Sequence, residues 1–124
     1  MLKLLLIGLF GALGALSRAL LSMWLNPDRL GVGLPWGTIV ANLLGSLLIG
    51  VLIGVSGRLP EPWRSTLITG FLGSLTTFST FNLETVELFS AGRPGLAAAN
   101  LILQLVLGLA AAAAGLSLGG YWVR

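Results

Sequence analysis

Long apolar runs, broken by short clusters of proline, glycine and charge, make up this chain. The first run covers residues 2–25. It ends at "NPDRLGVGLP", where two prolines and two glycines punctuate ten residues. Further runs cover residues 36–57, 63–89 and 96–123, separated by "RLPEP" and "SAGRPG". A membrane-crossing helix needs about 20 mostly apolar residues, so all four runs qualify. Backbone groups in lipid must pair within their own segment, which predicts helices. A lipid-facing β-barrel would show alternating polar residues, and these runs do not alternate. The pattern predicts an all-α membrane protein of four spans in one domain, residues 1–124.

The aromatic residues support these limits. Trp24, Trp36, Trp63 and Trp122 all lie at run ends, the last beside Tyr121. Tryptophan and tyrosine collect where lipid meets water. Lys3 ahead of "LLLIGLFGALGAL" resembles the start of a signal peptide, but no clear small-residue cleavage pattern follows. We read that segment as a retained helix.

Composition narrows the function. The chain is 56% hydrophobic and 9% charged, where a soluble domain carries about 25% charged residues. Most of its surface must therefore face lipid. It has no cysteine and no histidine, which excludes disulfides, thiol chemistry and imidazole acid–base work. The net charge is +3, but the cations are scattered singly. No basic cluster exists to follow a phosphate backbone, so nucleic acid is not an expected partner.

Four spans place both termini and the middle connector on one side. Lys3, Arg58, Arg64 and Arg124 fall there, against Arg29 and Arg93 opposite, with Arg18 near that side. Orientation follows the excess of basic residues, and this excess is small. The expectation is insertion in both orientations and an antiparallel pair. Small residues recur at helical spacing: Gly8, Gly11, Ala12, Gly14 and Ala15; Ser46, Gly50 and Gly54; Gly108, Ala112, Gly115 and Gly119. Such stripes let helix backbones touch in lipid, in a compact bundle or an oligomer.

Polar groups at membrane depth are costly unless paired, and so mark function. They are Arg18; Thr38, Asn42 and Ser46; Ser74, Thr76, Thr77, Ser79, Thr80 and Glu84; and Asn100, Gln104 and Ser117. Gly70 and Gly73 precede the hydroxyl run, weakening the third helix by about 1 kcal/mol each against alanine. Hydroxyls can bond freed carbonyls and support a break near its middle. Exposed carbonyls suit a hard cation. Phe78 and Phe81 are three apart and share a helix face. Their positive ring edges suit a small anion, as do the amide of Asn42 and the hydroxyl of Thr38. The other reading keeps these hydroxyls bonded to the preceding turn and the two rings in lipid or core.

Three motifs, "GALGALSR" (11–18), "WGTIVANLLGSLLIG" (36–50) and "GFLGSLTTFSTF" (70–81), resemble the bacterial fluoride channels called Fluc or CrcB. The resemblance covers nearly the whole chain. It implies passive fluoride export and fluoride resistance. It also implies a dual-topology antiparallel homodimer with two pores in the bacterial cytoplasmic membrane, or a pair with a paralogous second chain. By motif, Phe78 and Phe81 are similar to the pore phenylalanines, and Asn42 and Thr38 to the pore asparagine and its hydroxyl neighbour. Thr77, Ser79, Thr80 and Glu84 fall on a polar track. Gly73 and Thr76 resemble carbonyl ligands of a structural sodium ion at the dimer interface. Arg18 matches an arginine near the vestibule or one that holds the first helix. The fourth span departs from the family pattern, offering Asn100, Gln104 and Ser117 where a tyrosine and serines are usual.

Two other classes fit less well. A four-span proton-coupled multidrug exporter needs a carboxylate in its first span, and the first acid here is Asp28, in a loop. A passive assembly subunit would leave "TTFSTF" unexplained. Catalysis has no support: Glu84 and Glu87 lack a metal-ligand or nucleophile partner.

Overall fold

The computed structural model describes residues 1–26 and 33–121. Among the described residues, five helices form the fold: α1, Leu2–Leu25; α2, Trp36–Gly54; α3, residues 63–75; α4, Phe78–Ser90; and α5, Pro94–Tyr121. Asp28, Arg29, Trp122 and Arg124 lie outside the described residues. Trp24 sits one residue before the end of α1, and Trp36 and Trp63 open α2 and α3.

Among the described residues, α1, α2 and α5 are long and apolar enough to cross a membrane. With this apolar surface, they make the chain a multi-pass membrane protein. The third run is different: it is split into α3 and α4. The second helix ends at Gly54, short of residue 57, and passes into a 3₁₀ turn at Ser56–Arg58. The last helix starts earlier than residue 96, because Pro94 occupies its first turn, where a missing N–H costs nothing.

The burial pattern is inverted relative to a soluble protein. Leu4, Leu9, Leu16, Leu109 and Phe89 are exposed, while Thr38, Thr66, Asn100 and Gln104 are buried. Lipid solvates the apolar exterior, and the polar side chains find partners inside.

The small-residue stripes bring α2 and α5 together. A Cβ on Gly115 would lie 2.1 Å from the carbonyl oxygen of Leu47, and one on Gly50 would lie 2.3 Å from that of Ala112. Only glycine permits these backbones to approach so closely. The α2 and α5 stripes are thus spent inside one chain. On the other flank of α2, α1 lies against α3, and α4 lies against α5. Ala41, Leu72 and Leu75 form a buried core between α2 and α3.

The break falls at Thr76 and Thr77, beyond both glycines. Gly70 lies in a wide π-helical stretch, Thr66–Leu72, and Gly73 lies in the last helical turn of α3. A Cβ on Gly70 would lie 2.8 Å from the Ile7 carbonyl oxygen, so that glycine serves helix packing. The threonines make the break themselves. Both have extended backbones, with φ −83° and ψ 155° at Thr76 and φ −151° and ψ 119° at Thr77. The Thr76 hydroxyl donates back to the Leu72 carbonyl at 3.0 Å. Thr77 caps α4, its hydroxyl accepting the Thr80 N–H at 3.2 Å. Such a cap stabilises a helix start by about 1 kcal/mol.

Candidate functional site

A helix break at membrane depth leaves carbonyls without their donors. The Thr77 N–H, which would bond Gly73 in an unbroken helix, instead donates to Asn42 Oδ1 at 2.8 Å. Asn42 Nδ2 donates back to the Thr77 carbonyl at 3.1 Å. One amide from α2 thus pairs with both polar groups of one residue at the break. The Ser74 carbonyl is met from the opposite side by Arg18 Nε, at 3.2 Å. Arg18 is therefore tied to the end of α3.

Hydroxyls gather on the first turn of α4. Thr77 Oγ1 donates to Thr80 Oγ1 at 3.0 Å and lies 3.3 Å from Ser79 Oγ. One turn further on, the buried Thr38 hydroxyl donates to Glu84 Oε1 at 2.7 Å. Glu84 Oε2 is buried and has no hydrogen-bond partner among the described residues. The Phe78 and Phe81 rings lie 5.7 Å apart, tilted by 47°. Their surroundings differ: Phe81 is 3% exposed and Phe78 is 70% exposed. The spacing predicts a shared helix face, and the pair does touch, but one ring is core and the other faces outward.

Beside the break lies an open hollow of about 290 Å³, whose lining includes Asn42, Gly73, Thr76, Thr77, Phe78 and Phe81. Uncharged donors and ring edges are thus collected at one depth, next to carbonyls of the break.

The sequence matches the model of the family described as CrcB-like protein, Camphor Resistance (CrcB), over residues 5–116. The chain belongs to the CrcB family. A protein of Leptospira interrogans named fluoride-specific ion channel FluC is 46% identical, the match covering 98% of this chain and 93% of the relative. Fluoride-specific ion channel FluC 2 of Symbiobacterium thermophilum is 46% identical, covering 90% and 93%. The FluC of Agrobacterium fabrum is 40% identical, covering 96% and 97%. The resemblance drawn from the three motifs is to this same family.

The CrcB-family chain adds residues that the motifs leave unassigned. Gln104 and Asn100 lie one turn apart on α5, both buried. Gln104 Oε1 accepts from Asn42 Nδ2 at 2.5 Å, and Gln104 Nε2 donates to Asn100 Oδ1 at 2.8 Å. Asn100 Nδ2 donates to the Thr85 hydroxyl at 2.8 Å, which donates to the Phe81 carbonyl at 2.7 Å. Gln104 sits in a π-helical stretch, Leu103–Leu107, a feature frequent at functional sites. The signal in the sequence was two amides four residues apart in an apolar run. Thr85 gave none, because one threonine in a spanning helix commonly bonds its own preceding turn, as it does here. Ser117 does only that, donating to the Ala113 carbonyl at 3.0 Å.

Proposed function

We propose that this chain is a fluoride channel, which lets the ion leak down its electrochemical gradient and so confers fluoride resistance. The observation that carries the proposal is the break at Thr76–Thr77, where the first turn of α4 holds both the hydroxyl cluster of Thr77, Ser79 and Thr80 and the Phe78–Phe81 pair. The names of the relatives point the same way. A small anion needs donors to replace its water, but a full cation in its path would hold it too tightly. Hydroxyls and ring edges are weak donors of the required sign. The route runs along Phe78, Phe81, Thr77, Ser79, Thr80, Thr38 and Glu84, beside Asn42. The chain acts as a transporter, and no bond is made or broken.

The working unit in this proposal is an antiparallel dual-topology homodimer with two pores in the bacterial inner membrane. Helices α3 and α4 together supply the fourth crossing. Each half is only about 20 Å long at 1.5 Å per residue, so neither spans a hydrocarbon layer of about 30 Å alone. The near balance of cations on the two sides supports insertion both ways up.

A structural sodium ion fits the break. Asn42 takes the Thr77 N–H and so frees the Gly73 carbonyl, and the extended backbone of Thr76 turns its carbonyl out of the helical ladder. Both residues line the hollow. Two such carbonyls from each chain would hold the ion, which would supply positive charge to freed oxygens and tie the chains together.

Fluoride efflux from liposomes containing this chain alone, with chloride efflux run beside it, tests the proposal. Fast fluoride release without chloride release is expected. A folded dimer that releases neither ion would refute a channel built from this chain alone.

A further inference from the structure

The polar side chains of α5 form a relay with a single direction. Its first donor is the Thr77 N–H, to Asn42 Oδ1. Asn42 donates to Gln104, Gln104 to Asn100, Asn100 to Thr85, and Thr85 to the Phe81 carbonyl. Each amide presents its oxygen to the previous member and its NH₂ to the next. Both ends rest on the first turns of α4, so the relay leaves the break, crosses α2 and α5, and returns. Reversing Asn42 or Gln104 would set donor against donor at one neighbour and acceptor against acceptor at the other; reversing Asn100 would set donor against donor at Gln104, while the Thr85 hydroxyl could turn to suit. The relay therefore has one satisfied arrangement, and partly satisfied buried networks are costly. Amides do not titrate near neutral pH, so the relay carries orientation and not protons.

We propose that Gln104 and Asn100 are positioning residues, which fix the Asn42 amide in the one orientation that clasps Thr77 and so hold the helix break in its conducting form. Neither needs to touch the ion. Gln104 Oε1 takes the second Asn42 N–H and leaves Oδ1 to face the Thr77 N–H. Asn100 Oδ1 in turn takes the Gln104 N–H and keeps Gln104 Oε1 facing Asn42, and the Thr85 hydroxyl accepts the Asn100 N–H. A polar tyrosine or serine at these points would offer a hydroxyl that rotates to suit its neighbours. An amide cannot, so this chain locks the break where a hydroxyl would leave it adjustable.

The inference builds on the proposed channel function, and two readouts keep them separate. The first is fluoride flux per folded channel. The second is the hydrogen-exchange protection of the Thr77 backbone amide, followed by NMR, which needs no conduction. Gln104→Met keeps the volume and removes both relay bonds. Its flux should fall about tenfold, since an unsatisfied buried group shifts a two-state balance by roughly that factor, and Thr77 protection should fall with it. Thr85→Val, at the far end of the relay, should lower Thr77 protection although the Thr85 hydroxyl bonds Asn100 and the Phe81 carbonyl rather than Thr77. Thr66→Val is the control. Thr66 is fully buried and, among the described residues, its hydroxyl bonds the Pro62 carbonyl, at 3.0 Å, so its loss should leave Thr77 protection and flux per folded channel unchanged.

Unchanged flux and unchanged protection in folded Gln104→Met would overturn the inference. So would losses no greater than those in Thr66→Val, which would mark a merely structural role. If Gln104→Met does not fold, Thr85→Val decides: full Thr77 protection there sinks the inference. If the natural chain carries no fluoride, the proposed function fails by itself, and Thr77 protection still decides for or against the relay.

Discussion

Asn42 holds Thr77 by both ends of its peptide groups, accepting its N–H at 2.8 Å and donating to its carbonyl at 3.1 Å. A side-chain amide thus replaces the helical bonds that the break removes. The clasp joins α2 to the break and pairs both backbone groups of Thr77 with one side chain. Asn42→Leu is near-isosteric and removes it. It should destabilise the protein by about 2–4 kcal/mol, because several buried polar groups lose partners at once. Unfolding midpoints in a denaturing detergent measure the loss, and no shift would show that the break holds itself.

Phe81→Ile should lower fluoride flux by tenfold or more, since removing the ring removes its positive edge. The dimer should survive, because an apolar side chain still fills the buried position. Flux by fluoride electrode, beside size-exclusion chromatography, separates the two effects. Unchanged flux would take Phe81 out of the ion route.

Exchanging sodium for a large organic cation during purification should weaken the dimer or its flux, since the Gly73 and Thr76 carbonyls would then lose their proposed partner. Thorough depletion without effect on either would remove the sodium site from the proposal.

Gly115→Ala should cost about 1–3 kcal/mol, as overpacking does in a tight core, because its Cβ would meet the Leu47 carbonyl oxygen at 2.1 Å. Gly8→Ala should change stability by less than about 1 kcal/mol, for nothing lies within 4 Å of its Cβ position. Equal effects of the two, by the same unfolding assay, would refute the α2–α5 contact.

Glu61, in the connector before α3, accepts the Ser65 hydroxyl at 2.5 Å and lies near Lys3 and Arg64, at 3.6 and 3.3 Å. The Ser65 hydrogen bond, aided by the two cations, holds its carboxyl below the usual 4.5. A lowered value in the folded state means that the contribution is present above pH 4.5 and fades as pH falls through the lowered value. The group is exposed, so the effect is small. Stability curves of the natural chain and Glu61→Gln should differ near neutral pH and converge in acid. A difference that grows in acid would reverse the assigned sign.

The helices were legible because hydropathy and length act locally. Tryptophans marked helix starts at 36 and 63 for the same reason, since each senses only its own depth. The break was expected near the middle of the third run and falls there, at Thr76–Thr77; the weakening assigned to Gly70 and Gly73 is not what makes it. Propensity gives way to tertiary contact here. Both glycines stay helical, Gly70 against α1, while Asn42 pulls the Thr77 peptide out of the ladder from 35 positions away.

By itself the sequence determined the solvent, the all-helical class, the polar residues that need partners and, through three motifs, the family. These depend on composition and on spacing within one segment. The tertiary structure alone decided who partners whom: that the glycine stripes are spent between α2 and α5, that Phe81 is core while Phe78 faces outward, and that Gln104 and Asn100 join Asn42 to Thr85. Hydrogen bonds and close contacts depend on the distance between atoms, and helix packing brings together residues that the chain keeps far apart.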